Sequence, residues 1–225
     1  MRTMIIGDIH GCIEEFEALL QILNPQREDR VILLGDLFDR GPSSWEVFQK
    51  VKQLQREYGD HFVLLRGNHD DYLMTRNMSP FLRSVWESVG RQTTVNSFHA
   101  HGERMQDAAD WLREHCVLYW KEDRFQCVHA GVQKEPIEEN DIDLLINDHD
   151  IVLENTYQGK LTITGHIALE MPVWFKGDGE YEILNYHREY PLPDYGVICV
   201  DTGCGKGGIL SGMVIENDRF ILCYA

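Results

Sequence analysis

Three short polar motifs each follow an apolar, strand-like segment in the first third of the chain. They read Gly7-Asp8-Ile9-His10-Gly11, then Gly35-Asp36-Leu37-Phe38-Asp39-Arg40-Gly41-Pro42, and then Gly67-Asn68-His69-Asp70. Carboxylate oxygens, imidazole nitrogens and amide oxygens are ligands for divalent ions such as manganese, iron, zinc or magnesium. The glycines beside them let the backbone turn sharply and approach an ion closely. The motifs therefore predict a site for divalent metal.

Two later histidines extend this set of ligands. His129 stands in Val128-His129-Ala130-Gly131 and His166 in Thr164-Gly165-His166, each after another strand-like segment. Any one of these motifs alone would more often be ordinary turn chemistry or a structural histidine. The full set is large enough for two ions about 3.5–4 Å apart with one shared carboxylate. The prediction of a two-metal site therefore depends on the set as a whole.

Strands and helices alternate in the segments that must position these motifs. Strands are predicted at residues 4–6, 31–34 and 62–65. One amphipathic helix starts at Ile13 and ends at Asn24-Pro25, and a second starts after Ser43 or Ser44 and ends near Gly59. This order implies right-handed parallel crossovers. Because ligands bind beyond the carboxyl ends of such strands, we expect the three motifs at one edge of the sheet.

The remainder of the chain divides into a helical part and a strand-rich part. Residues 71–118 show helical patches and no clear strand, which predicts a mainly helical insertion beside the site. Further strands are predicted at residues 125–128, 161–164, 173–175, 181–184, 197–200, 209–215 and 220–224. Asn217-Asp218 predicts a hairpin turn between the last two. Since no linker or repeat interrupts the pattern, we expect one domain over residues 1–225.

The composition excludes several classes of protein. The net charge is −16, from 21 basic and 37 acidic residues, and this argues against a nuclease or general nucleic-acid binding, which needs a positive surface. No apolar run is long enough to span a membrane and no secretory signal is visible, so we expect a cytoplasmic protein without a membrane partner. The six cysteines contain no C-x-x-C pair, which is typical of thiols in a reducing compartment.

Taken together, the motifs resemble those of the calcineurin-like metallophosphoesterases. The closer resemblance is to the phosphoprotein phosphatase branch, which includes small bacterial and phage serine/threonine phosphatases and the diadenosine tetraphosphate hydrolases. That branch carries GDxHG, GDxxDRG, GNH[DE], H[GA]G and GH in the order found here. The resemblance spans residues 7–166 and extends to Val200-Asp201-Thr202-Gly203. It implies an α/β fold, in which a β-sandwich of mixed sheets is flanked by helices.

The resemblance also implies a role for each matching position. The first metal would be held by Asp8, His10 and Asp36. The second would be held by Asp36, Asn68, His129 and His166, with Asp36 as the bridge. Manganese is the expected metal, with iron, zinc, nickel or magnesium as alternatives. A hydroxide between the ions would be the nucleophile, His69 the general acid, Asp39 its orienting partner and Arg40 the phosphate-binding residue.

This sequence departs from the branch at one functional position. Many phosphoprotein phosphatases place a second phosphate-binding arginine between the two late histidines, and no arginine lies between His129 and His166 here. Residues 144–150, where that arginine is expected, are acidic. A substitute could be Lys134, Lys160 or a residue of the 71–118 insertion, with Arg66 and Arg83 as further candidates.

A glycine-rich segment near the C-terminus invites comparison with phosphate-binding loops. It reads Gly203-Cys204-Gly205-Lys206-Gly207-Gly208. The segment does not match G-x-x-x-x-G-K-[ST], and an apolar strand follows it where a nucleotide-binding loop would lead into a helix. We therefore interpret it as a turn near the site.

Two substrate classes compete within the predicted metal-dependent phosphoesterase. The intact Asp39-Arg40-Gly41-Pro42 favours a phosphoprotein phosphatase of the serine/threonine type, which is the leading expectation. The short chain, His129-Ala130-Gly131 and Asp201-Thr202-Gly203-Cys204 favour the alternative, a bis(5'-nucleosyl)-tetraphosphatase acting on a nucleotide polyphosphate. Aromatic residues could stack a base, although a place in the core is favoured; these are Trp86, Phe98, Trp111, Tyr119 and Trp120. A non-catalytic regulator is disfavoured because both His69 and Asp36 are present.

Overall fold

A computed structural model describes residues 1–225 and contains two β-sheets. The seven-stranded sheet has the order β10-β13-β12-β1-β2-β3-β4. Its strands are β1 (Thr3–Ile6), β2 (Arg30–Leu33), β3 (Phe62–Leu65), β4 (Cys116–Val117), β10 (Glu189–Pro191), β12 (Ser211–Glu216) and β13 (Arg219–Tyr224). The first four run parallel, and β12 pairs antiparallel with β1.

The six-stranded sheet has the order β5-β6-β7-β11-β8-β9. Its strands are β5 (Tyr119–Lys121), β6 (Gln126–Val128), β7 (Thr162–Thr164), β8 (Val173–Phe175), β9 (Tyr181–Ile183) and β11 (Val197–Cys199). The central strands β6, β7 and β11 are parallel, and the outer ones are antiparallel to their neighbours. Both sheets are therefore mixed, as expected.

Eight α-helices surround the sheets. They are α1 (Ile13–Leu23), α2 (Ser44–Tyr58), α3 (Asn68–Met74), α4 (Pro80–Ser88), α5 (Arg91–Ala100), α6 (Met105–His115), α7 (Ile142–Asn147) and α8 (Asp150–Leu153). The first ends where Asn24 adopts a left-handed φ of 44°, and α2 ends at Gly59 with a φ of 54°. No helix combines the length and the apolar character that crossing a membrane requires.

Strand alternation divides the core into layers. Met4 and Ile6 of β1 pack with helices α1 to α6, whereas Ile5 between them packs into a second cluster that contains residues of both sheets. Such alternation follows from the period of two along a strand. Residues of β6 and β11 on the other face of the second sheet pack with α7 and α8. The order of layers is therefore helix, sheet, sheet, helix, and the predicted sandwich fold is confirmed.

The differences from the predicted elements lie mainly at sheet edges. Strands β4, β5 and β10 were not predicted, since each has only two or three residues and pairs on one side. Such short segments carry too little periodicity to be recognised. The predicted strand at 209–215 begins later, at Ser211, because Ile209 forms only an isolated bridge with Gly203. Asn217 and Asp218 form the predicted hairpin turn, with φ of 50° and 60°.

Candidate active site

The predicted site residues converge where parallel strands of both sheets end. Asp8, Asp36 and Asn68 follow β1, β2 and β3, while His129 and His166 follow β6 and β7. The first two motif loops are joined by the backbone, because the N–H groups of Ile9 and His10 both donate to the carbonyl of Asp36 at 3.1 and 2.9 Å. The structure thus brings one set of predicted ligands from each sheet to a common edge.

One group of polar atoms forms around His10. Its Nδ1 donates to the carbonyl oxygen of Phe38 at 2.8 Å, so the neutral ring leaves Nε2 unprotonated. That Nε2 lies 3.5 Å from Oδ2 of Asp36 and 4.0 Å from Oδ2 of Asp8. All three side chains are almost fully buried. The unprotonated Nε2 of His10, which Arg40 also contacts, therefore faces two carboxylate oxygens.

A second group forms on the other side of Asp36. Nδ1 of His129 donates to the carbonyl of Leu34 at 2.8 Å, and its Nε2 lies 3.5 Å from Oδ1 of Asp36. The Oδ1 atom of Asn68 lies 3.2 Å from Nε2 of His129 and 3.2 Å from Nδ1 of His166. The remaining nitrogen of His166, Nε2, is buried without a hydrogen-bond partner.

These two groups fit a pair of divalent cations that share Asp36. The ligand atoms of His10, Asp36 and His69 lie within 4.8 Å of one another, and so do those of Asp36, His129 and His166. Acceptor atoms at such distances repel unless a cation lies among them, and nitrogen and oxygen donors of this kind suit first-row divalent metals. The rings of His10 and His129 each donate a hydrogen bond from Nδ1 to a backbone carbonyl. This arrangement is typical of histidines that bind a metal through Nε2.

The electrostatics of the site favour the same interpretation. Burial and the neighbouring His129 lower the pKa of His166 to about 3, and burial lowers the pKa of His10 well below its usual value, so both rings are neutral near pH 7. Burial opposes ionisation of Asp36, but the surrounding histidines hold its pKa below the usual value. Burial, followed by Asp201 and Asp36, raises the pKa of Asp8. Crowded buried carboxylates of this kind are stabilised by bound cations.

His69 lies beside these groups but is held by different partners. Its Nδ1 is 2.7 Å from Oδ2 of Asp39, and its Nε2 is 3.1 Å from Nη2 of Arg40. The other terminal nitrogen of Arg40 contacts Nε2 of His10. Asp39 and Arg40 both adopt left-handed backbone conformations, with φ of 69° and 66°. This turn directs the carboxylate and the guanidinium towards His69 from consecutive positions.

The helical segment after the third motif holds Asp39 in place. Oδ2 of Asp39 accepts a hydrogen bond from Nε1 of Trp86 at 2.6 Å, and Oδ1 accepts one from Oγ1 of Thr94 at 2.6 Å. Trp86 lies on α4 and Thr94 on α5, within the insertion predicted at 71–118. Trp86 and Phe98 are core residues, as favoured, but the contact between Trp86 and Asp39 has no signal in the sequence.

Three further residues lie at the site although the sequence predicted no role for them. The Asp70 carboxylate accepts hydrogen bonds from backbone N–H groups of the second and the third motif. Asp201 is buried and its Oδ1 accepts from the N–H of Gly203 at 2.9 Å. Burial raises the pKa of Tyr72 and the side chain of Asn68 opposes that rise, while the Tyr72 ring lies 5.7 Å from that of His69. None of these contacts could be inferred from residue spacing alone.

The residues proposed to replace the second phosphate-binding arginine either pair with other residues or are exposed. Nζ of Lys160 donates to the carbonyl of Glu122, and Arg66 pairs with Asp71. Arg83 is exposed on α4, and Lys134 is exposed after the His129 loop. From the acidic stretch 144–150, His149 reaches a predicted metal ligand, since its ring centroid is 4.6 Å from that of His166.

Comparison with known families decides the class of this site. The model of the calcineurin-like phosphoesterase family matches residues 1–202. The chain belongs to this family. This match agrees with the class of metal-dependent phosphoesterase that the motifs predicted. Members of the family use two divalent metal ions, and the two atom groups that share Asp36 fit that requirement.

Two kinds of related phosphoesterase illustrate the match. A symmetrical bis(5'-nucleosyl)-tetraphosphatase from Chromohalobacter salexigens is 36% identical over 137 residues, which are 59% of this chain and 45% of that enzyme. The asymmetrical bis(5'-nucleosyl)-tetraphosphatase PrpE from Halalkalibacterium halodurans is 27% identical over 240 residues, which are 98% of this chain and 93% of that enzyme. The chain thus spans less than half the length of the symmetrical relative but nearly all of the asymmetrical one.

Solved structures of phosphoesterases share the fold at lower sequence identity. A metallophosphoesterase from Sphaerobacter thermophilus is 18% identical with a TM-score of 0.67, and the match covers 100% of this chain and 88% of that chain. A protein serine/threonine phosphatase from Saccharomyces cerevisiae is 14% identical with a TM-score of 0.64, covering 100% and 79%. At these sequence identities the likeness establishes the fold alone.

Proposed function

We propose that this phosphoesterase hydrolyses dinucleoside tetraphosphates. The observation that carries the proposal is the match to a bis(5'-nucleosyl)-tetraphosphatase over 98% of this chain and 93% of the relative. The absence of an arginine between His129 and His166 points the same way, because it removes a phosphate contact that many phosphoprotein phosphatases have. The relatives therefore favour the alternative substrate over the phosphoprotein that the sequence put first.

The chain's own residues would hold the metals in two sets. Asp8, His10 and Asp36 suit one ion, and a second set that again includes Asp36 suits the other: Asp36, Asn68, His129 and His166. When bound, two divalent ions lower the pKa of a coordinated water and offset the negative charge of the phosphates. Manganese remains the proposed metal, and reconstitution of metal-free protein with manganese, iron, zinc, nickel or magnesium would rank the alternatives.

We assign the proton donor of the reaction to His69. Its Nδ1 lies 2.7 Å from Oδ2 of Asp39, which fixes the ring with Nε2 beside Arg40, and in the proposed reaction Nε2 would be the atom that donates the proton. A departing phosphate oxygen at Nε2 would receive that proton as the phosphorus–oxygen bond breaks. Because Arg40 lies 3.1 Å from the same nitrogen, its guanidinium can bind oxygens of the phosphate under attack.

The protein is also proposed to work in the cytoplasm. All six cysteines are free thiols, and three of them are buried. Free thiols without disulfides are typical of reducing compartments. Fractionation of the native host cells with an antibody to the chain would test this location.

The substrate is tested by incubating the manganese-loaded protein with diadenosine tetraphosphate and separating the nucleotides. Parallel reactions contain an aryl phosphate and a phosphoserine peptide, and the His69→Asn variant serves as the control for contaminating phosphatases. We expect kcat/KM for the tetraphosphate to exceed that of both monoesters. ADP alone would indicate symmetrical cleavage, and ATP with AMP asymmetrical cleavage. Faster hydrolysis of the phosphopeptide than of the tetraphosphate would overturn the proposal.

A further inference from the structure

The glycine loop, defined as residues 203–208, packs directly against the candidate active site. It follows β11 and Asp201, and the backbone of Gly205 lies against His10 and Arg40. A Cβ atom at Gly205 would stand 2.7 Å from Cβ of His10 and 3.3 Å from Cβ of Arg40. Gly205 also has a φ of 78°, which favours glycine. The loop is therefore in contact with both a metal ligand and the phosphate-binding residue.

Internal hydrogen bonds fix the shape of the glycine loop. The N–H groups of Lys206 and Gly208 both donate to the carbonyl of Gly203, at 2.9 and 3.0 Å. The N–H of Gly203 in turn donates to the buried carboxylate of Asp201 at 2.9 Å. The thiol of Cys204 is buried against the thiol of Cys12, which follows the first motif. Lys206 is thus presented from a fixed turn.

Lys206 is a cation without an ion-pair partner at this edge. Its side chain is exposed, and no carboxylate lies within salt-bridge distance of Nζ. Its charge nevertheless acts on the site, since burial raises the pKa of Asp201 while the N–H of Gly203 and the charge of Lys206 oppose that rise. Arg40, by contrast, contacts the side chains of His10 and His69. Lys206 is therefore an unpaired positive charge in the loop that packs against Arg40.

We propose that Lys206 binds the phosphates that lie beyond the one under attack, and so selects polyphosphate chains over phosphate monoesters. This inference rests on the proposed function, because only an extended phosphate chain reaches from Arg40 to a second cation. A lysine ammonium on its flexible stem suits this task, since it acts as a point charge and needs no fixed acceptor geometry. Lys206 would then be a specificity-determining residue, in place of the second arginine.

The test compares Lys206→Met with Lys206→Arg and with a matched control, Lys176→Met. Lys176 is a half-buried lysine beyond β8 that pairs with Glu180, at the end of the sheet opposite the site. For diadenosine tetraphosphate, Lys206→Met should raise KM about tenfold, the loss expected for one charged hydrogen bond. For an aryl phosphate, kcat/KM should stay within about twofold of wild type, since a single phosphate does not reach Lys206. Lys206→Arg should restore most of the loss, and Lys176→Met should behave as wild type.

A second measurement keeps the inference separate from the proposed function. Inorganic tripolyphosphate and orthophosphate are tested as inhibitors of aryl phosphate hydrolysis, with divalent metal in excess over the polyphosphate. Lys206→Met should weaken inhibition by tripolyphosphate about tenfold and leave inhibition by orthophosphate unchanged. If wild type does not cleave the tetraphosphate, the proposed function fails while this inhibition still tests Lys206. Unchanged tripolyphosphate inhibition, or equal losses with both inhibitors, would overturn the role of Lys206.

Discussion

The Asp70 carboxylate accepts a hydrogen bond from the backbone N–H of Asp36 at 2.8 Å. It also accepts from the N–H groups of Leu37 at 3.0 Å and Gly67 at 3.1 Å. In return, the N–H of His69 donates to Oδ1 of Asp36 at 2.9 Å. Hydrogen bonds therefore join the second and third motif loops in both directions. Residues of the third motif thereby fix the position of the Asp36 carboxylate.

Replacing Asp70 with asparagine should destabilise the protein and weaken its metal binding. The amide keeps the shape of the side chain, but its NH₂ group faces a backbone donor, which leaves a buried hydrogen bond unmade. The expected loss in free energy of unfolding is about 1–3 kcal/mol. Chemical denaturation of metal-free protein measures it, with Asp71→Asn as the control because Asp71 pairs only with Arg66 at the surface. Equal losses in the two variants would contradict the role of Asp70.

Replacing Trp86 with phenylalanine should slow catalysis without changing substrate binding. The change keeps an aromatic ring in the core but removes the Nε1 donor that holds Asp39 at 2.6 Å. Asp39 would then orient His69 less well, and kcat should fall about tenfold while KM stays near wild type. Trp111→Phe is the control, because Trp111 packs against Phe48 and His115, away from Asp39. A fall in kcat shared by both variants would point to a general packing effect.

Replacing Tyr72 with phenylalanine should weaken one of the two metal sites. The Asn68 side chain opposes the rise that burial causes in the pKa of Tyr72, as an amide NH₂ facing the hydroxyl would, while Oδ1 of Asn68 faces His129 and His166. Loss of an outer partner of a ligand costs about 10–100-fold in metal affinity. Titration calorimetry with manganese should therefore show one weakened site and one unchanged site. Tyr119→Phe, on an edge strand, should retain both affinities.

Replacing His166 with glutamine should change how stability depends on pH in metal-free protein. The pKa of His166 is about 3 in the folded protein and near 6.5 in the unfolded chain, so the unfolded chain takes up a proton first as pH falls. This residue therefore lowers the free energy of unfolding between pH 6.5 and about 3, by at most about 1.4 kcal/mol per pH unit.

Denaturation of metal-free protein at several pH values measures this effect. His166→Gln should lose less stability than wild type as pH falls through that window, because glutamine takes up no proton. His99→Gln, which lies exposed on α5, is the matched control and should follow wild type. Parallel curves for wild type and His166→Gln would show that His166 is not the buried, neutral ring described here.

Much of the fold followed from the sequence because local patterns specify it. The apolar runs of β1, β2 and β3 and the amphipathic faces of α1 and α2 are complete within a few residues, and the motifs come directly after strands. The edge strands β4, β5 and β10 were missed because pairing partners from distant parts of the chain stabilise them. The hydrophobic periodicity of a short segment does not reveal such distant pairing partners.

The supporting contacts of the site could not be predicted for the same reason. Trp86 and Thr94 reach Asp39 across 47 and 55 positions of sequence, and Gly205 packs against His10 across the whole fold. Only the packing of the 71–118 segment and the glycine loop brings them together. The intact Asp39-Arg40 turn led the sequence to favour a phosphoprotein, whereas the relatives described above are bis(5'-nucleosyl)-tetraphosphatases, which favours the alternative.

The most direct test of the account is the metal content of the Asp36→Asn variant. Asp36 is the one residue common to both groups of ligand atoms, with its two oxygens 3.5 Å from His10 and 3.5 Å from His129. Mass spectrometry of protein loaded with manganese and then desalted should find two ions per chain in wild type. His10→Ala and His129→Ala should each lose one ion, and Asp36→Asn should lose both. Two retained ions in Asp36→Asn would contradict a shared carboxylate at the centre of this site.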